Sequence, residues 1–179
     1  FGLEILSFYF RKIHQGGFYS PSQGNLQADQ VIGEILGYIS AKPEKFYDII
    51  VGCDSPSSEE PHFPVAVVIL RTGEGGRFFL KTVSYRPEEK VFNWRTRILE
   101  EVFLSCELAL YLRERLEKEI NKLSFSANYQ FRYIHADVGE NGKTKDMIKE
   151  VTGLIRGNGF EPKIKPESYA ASVVADRYT

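Results

Sequence analysis

Tyr47-Asp48-Ile49-Ile50-Val51-Gly52-Cys53-Asp54 is a nearly continuous apolar run that ends on an acid. Such a run suits a central strand covered on both faces, where alternation with polar residues is not needed. A polar loop, Ser55–Pro61, follows it. Next come two β-rich runs, Phe63–Arg71 and Arg77–Val83, around Thr72-Gly73-Glu74-Gly75-Gly76. Two strands about a glycine cluster, with no helix after it, read as a hairpin and not as a phosphate loop.

Working outward, Asn93 to about Leu123 predicts a long amphipathic helix with Ile98, Val102, Ala109, Leu112 and Leu116 on its buried face. Tyr129–Asp137 is a second strand ending in an acid, and Lys143–Arg156 a helix stopped by Gly157 and Gly159. Phe160–Lys165 is a short strand, and Ser168–Tyr178 a last, alanine-rich helix. Upstream, Gln27–Ser40 predicts a helix and residues 1–26 a loosely structured leader rich in turn residues. We therefore divide the chain into an N-terminal leader and helix, 1–44, and an α/β domain, 45–179. An antiparallel meander followed by alternating helices and strands predicts a mixed five-stranded sheet flanked by helices.

The bulk composition agrees with one ordinary domain. The chain has 179 residues, 42% hydrophobic and 26% charged. No apolar run approaches the roughly 18 residues that a membrane span requires, and Phe1–Phe10 lacks a signal peptide's basic flank and cleavage site. Cys53 and Cys106 have no metal-ligand spacing and are expected as buried, reduced thiols in a cytoplasmic protein. No obligate protein partner is evident. The net charge of −1 excludes a basic nucleic-acid coat. Residues 143–179 nevertheless hold seven basic side chains against five acidic ones, so any nucleic acid would be held by a local patch.

Right-handed crossovers place strand 129–137 beside strand 47–54 and parallel to it. Asp54 and Asp137 then share the carboxyl edge of the sheet, where open α/β sheets put their sites. Two ionised carboxylates ~4 Å apart repel by roughly 4 kcal/mol at an effective dielectric near 20. A proton or a divalent cation must offset that, and hard carboxylate oxygens suit Mg²⁺ or Mn²⁺. Such ions can activate water and stabilise a leaving oxygen in phosphodiester cleavage. The long helix should supply a third acid. On a wheel started at Ile98, Glu101 falls at about 300°, flanking the buried face, and Glu100 at about 200°, facing water with Glu107. Glu101 is the expected ligand and Glu100 a solvated charge.

His135 lies two residues before Asp137 on the same strand face, where it could orient a carboxylate, shuttle a proton or simply pack as a structural histidine. Gly139-Glu140-Asn141-Gly142-Lys143-Thr144 opens a helix after a strand and contains Gly-Lys-Thr. A true phosphate loop needs glycine five residues before Gly142, and that position is Asp137. The loop can still offer N–H groups and Lys143 to a single phosphate, or serve as an ordinary capped turn.

Three stretches resemble the bacterial YkuK-like family: Val51-Gly52-Cys53-Asp54-Ser55; His135-Ala136-Asp137 through Gly142-Lys143-Thr144-Lys145; and Lys165-Pro166-Glu167-Ser168-Tyr169-Ala170-Ala171-Ser172-Val173-Val174-Ala175-Asp176. The resemblance spans about residues 45–179. It implies a ribonuclease-H-like fold and a metal-dependent nuclease that uses Asp54, Glu101, Asp137 and Asp176 as catalytic metal ligands, with Glu100 competing for the helix position. Lys143, Thr144 and Lys165 are the expected substrate-binding groups, with Ser55 and His135 in support. The expected activity is Mg²⁺- or Mn²⁺-dependent hydrolysis of RNA, an RNA–DNA hybrid or structured DNA. The alternatives are a nucleic-acid-binding module without turnover and a nucleotide-binding ATPase, against which the failed phosphate loop counts.

Overall fold

A computed structural model describes Ile13 and residues 16–171 of the chain. Its strands are β1 (Phe18–Ser20), β2 (Gly24–Leu26), β3 (Tyr47–Cys53), β4 (His62–Arg71), β5 (Gly75–Ser84), β6 (Tyr129–Ala136) and β7 (Glu161–Lys163). Its helices are α1 (Ala28–Ala41), α2 (Trp94–Ile120) and α3 (Ile148–Gly157), the last preceded by a 3₁₀ segment, Lys143–Met147. The strands form one sheet in the order β2-β1-β5-β4-β3-β6-β7.

The meander β3-β4-β5 is antiparallel throughout, and β3 pairs with β6, and β6 with β7, in parallel. The sheet has seven strands where five are expected. The difference lies in the leader: Gly24 adopts φ 74°, and β1 and β2 form a tight antiparallel pair that extends the sheet at β5. Three-residue strands among turn-forming residues leave no periodic signal.

Position β3 is central, as its apolar run requires. Ile49, Val51 and Cys53 enter the main core, while Ile50 enters a smaller cluster with Ala66, Val68, Leu80 and Ala170. Val31, Ile32, Ile35 and Ile39 of α1 lie in the same main core as Leu104, Leu108 and Leu112 of α2, so packing is continuous across residue 44. Asn93 caps α2: its side chain accepts the Thr96 N–H at 2.9 Å, and Thr96 Oγ1 accepts the Asn93 N–H at 2.9 Å. No helix among the described residues is long and apolar enough to cross a membrane.

Beyond β7 the chain turns back over the sheet. A Cβ on Gly52 would lie 2.8 Å from the Ala171 nitrogen and 3.1 Å from the Ala170 carbonyl carbon, so only glycine admits this crossing. His135, opposite Gly52 on β6, accepts the Ala170 N–H on Nδ1 at 3.1 Å. The alanine-rich segment is thus pinned closely to the strands that end in Asp54 and Asp137.

Candidate functional site at the carboxyl edge of the sheet

The last β3–β6 pair is Cys53↔Ala136. Asp54 and Asp137 are the next residues on each strand, so parallel pairing delivers two acids to one sheet edge. Both are half-buried. Glu101, 5% exposed, comes to them from the second turn of α2. Its Oε1 accepts the Ser55 backbone N–H at 2.9 Å and the Ser55 hydroxyl at 2.5 Å. Burial pushes the Glu101 carboxyl up to about 8; the Ser55 hydrogen bonds oppose the rise, and the charges of Asp54 and Asp137 add to it. Three carboxylates from three separate elements therefore share one electrostatic site.

Asp137 Oδ1 is buried and lacks a hydrogen-bond donor. The Lys165 ammonium stands 3.1 Å from it as an ion pair, at angles that do not make a hydrogen bond. Among the described residues, no three His, Cys, Asp or Glu side chains are drawn together as a metal centre. Asp54, Glu101 and Asp137 are nonetheless hard oxygen donors of the kind Mg²⁺ or Mn²⁺ takes, with the Lys165 ammonium already beside Asp137.

His135 is 2% exposed, and burial lowers its pKa to about 4, with Lys163 adding to the effect. Its Nδ1 is committed to Ala170 and its ring packs edge-on against Tyr169 at 4.7 Å. It thereby orients the segment at 169–171. Thr144 Oγ1 accepts the Gly139 N–H at 3.1 Å, which closes loop 139–144 on itself. Lys143 is exposed, with its ammonium 5.2 Å from the centre of the Trp94 ring. Asp176 lies outside the described residues.

Glu100 does not face water. It is 6% exposed, accepts the Tyr85 hydroxyl hydrogen bond at 2.6 Å, and pairs with Lys90 at 3.3 Å. Glu107, 7% exposed, is buried on the same flank. A helical wheel cannot see the reason: the segment after β5 lays Tyr85 and Phe92 against Phe63, with ring centres 5.0–5.9 Å apart, and carries Tyr85 and Lys90 to Glu100. Glu100 and Glu101 thus serve two different environments.

A mixed sheet with acids gathered at the carboxyl ends of two parallel neighbours, and a third acid on the following long helix, defines a ribonuclease-H-like α/β protein. A family model described as Ribonuclease H-like matches residues 30–179, and the chain belongs to this family. It is also 30% identical over 168 residues to the uncharacterized protein YkuK of Bacillus subtilis (strain 168), covering 90% of this chain and 96% of that protein. No solved structure matches the chain significantly.

Proposed function

We propose that the protein is a Mg²⁺- or Mn²⁺-dependent nuclease that hydrolyses phosphodiester bonds. The observation that carries this reading is the coupling of Asp54, Glu101 and Asp137, each of which reaches the same edge from a different element. Repulsion among the three acids is relieved by the proton that Glu101, raised to about 8, keeps at neutral pH, or by a divalent cation that displaces it. Asp54, Asp137 and Glu101 would hold it, and Asp176 is the fourth acid proposed from the family resemblance. When bound, the metal supplies an activated water and charge neutralisation at the leaving oxygen. The chain's own part is to orient the acids: Ser55 fixes Glu101 by two hydrogen bonds, and the crossing at Gly52 holds the C-terminal segment against the sheet.

A second reading is a binding module of the same fold without turnover. The Lys165–Asp137 ion pair favours it, because an internal cation already offsets part of the acidic charge. One experiment separates the two. Labelled single-stranded RNA, single-stranded DNA, RNA–DNA hybrid and duplex DNA are incubated with the protein, with and without Mn²⁺, beside Asp54→Asn. Cleavage that needs Mn²⁺ and disappears in the variant supports the nuclease. Binding with no cleavage of any substrate supports the module.

A further inference from the structure

Trp94, Arg97 and Glu101 stand at i, i+3 and i+7 on α2, one stripe of the helix. Both loops that follow the strand-end acids lean on this stripe. From the loop after Asp54, Ser55 donates to Glu101 and Ser57 Oγ accepts from Arg97 Nη1 at 2.6 Å. Past the loop after Asp137, Lys143 brings its ammonium to 5.2 Å from the Trp94 ring centre. Arg95 adds a guanidinium 4.7 Å from the same ring. Arg95 and Lys143 are exposed, Trp94 and Arg97 only half-buried, and the buried Nε of Arg97 has no acceptor.

The stripe therefore runs from an aromatic ring that packs on the main core with two exposed cations over it, through a third cation, to the acids. Seven residues of helix span ~10 Å, about three nucleotides at the ~3.4 Å stacked rise of one strand. We propose that this stripe is a track for single-stranded nucleic acid: an unpaired base stacks on Trp94 in place of the exposed cations now over the ring, Lys143 and Arg95 swing aside to its flanking phosphates, and Arg97 lies under the strand as it approaches Asp54, Glu101 and Asp137. The inference rests on the reading that these acids face a phosphodiester, and it names the substrate class. An aromatic platform beside backbone cations selects unpaired strands, because in a duplex the base faces are already covered by neighbouring bases. A chain of net charge −1 also needs such a local device.

Trp94 is the single tryptophan of the chain, so its emission reports on the track directly. The intact protein is titrated in EDTA with single-stranded 12-mers and with the matching blunt duplex, following Trp94 emission and the anisotropy of a label on the oligonucleotide. The expected result is quenching by the single strand and not by the duplex. Trp94→Ala should weaken single-strand binding at least about fivefold, and Trp94→Phe, which keeps a ring, much less. Should Trp94→Ala fail to fold, Lys143→Ala is the second variant, with a salt slope expected to drop by about one unit. Equal quenching by the duplex, or single-strand binding insensitive to both Trp94→Ala and Lys143→Ala, overturns the track. Trp94-dependent binding in EDTA without cleavage in Mn²⁺ supports the track while counting against the nuclease.

Discussion

Lys165 holds its ammonium nitrogen 3.1 Å from Asp137 Oδ1. The lysine is half-exposed, so as a surface ion pair it contributes little stability, about 1 kcal/mol or less. Its larger effect is on occupancy. A positive charge already beside Asp137 opposes any cation that approaches the same oxygen. Lys165→Met should therefore tighten Mn²⁺ binding severalfold in calorimetry. Unchanged or weaker binding would mean that the lysine and the metal do not compete.

The two neighbouring helix acids should separate cleanly. Glu101→Gln is expected to abolish metal-dependent cleavage, because Glu101 is the acid electrostatically joined to Asp54 and Asp137. Glu100→Gln should leave cleavage within a few-fold, since Glu100 answers to Tyr85 and Lys90. Initial rates of both variants in Mn²⁺ check this, and the opposite ranking would move the site to the other flank of α2.

At Gly52 a single methyl group should be costly. A Cβ 2.8 Å from the Ala171 nitrogen must push the backbone of the crossing segment away. Gly52→Ala should destabilise by about 1–3 kcal/mol, as overpacking does. It should also lower cleavage at temperatures where the protein is still folded. A melting curve and an assay at 20–25 °C read the two effects; wild-type values in both would show that the segment yields without consequence.

Glu107 provides a pH signature away from the acid cluster. Burial, reinforced by Glu100, raises its carboxyl from 4.5 to about 7, and its buried Oε2 has no partner. The folded state thus holds this proton more tightly than the unfolded chain. Its contribution is most favourable below pH 4.5, declines as pH rises towards 7, and is constant above that. Glu107→Gln removes the titration. The variant should melt higher than wild type at pH 8 and gain less at pH 4.5. A gain independent of pH would mean that Glu107 ionises normally.

The parallel neighbours β3 and β6, and the acids at their ends, were legible in the sequence because an apolar run terminates on Asp54 and an aromatic-rich stretch alternating with polar residues terminates on Asp137. Periodicity likewise placed α1 and α2 to within a few residues. The β1–β2 pair was not legible, since three-residue strands among Gly, Ser and Pro carry no period. Nor was the burial of Glu100, which depends on how the segment after β5 lies across a helix flank. The Trp94–Arg97–Glu101 stripe had a readable signal in its i, i+3, i+7 spacing. It becomes meaningful only when Ser55, Ser57 and Lys143 are seen to meet it.

The topology also dictates when the site comes into being. The β3-β4-β5 meander joins strands that are close in sequence, so a nascent chain can close it early with little loss of loop entropy. The partners Cys53 and Ala136 meet only after about eighty intervening residues, including all of α2, have been made and docked. A half-made chain can own a respectable sheet and still have its acids scattered. Assembly of the acid cluster is thereby postponed to the end of folding, and on the nuclease proposed above an immature chain would spare the nucleic acids around it.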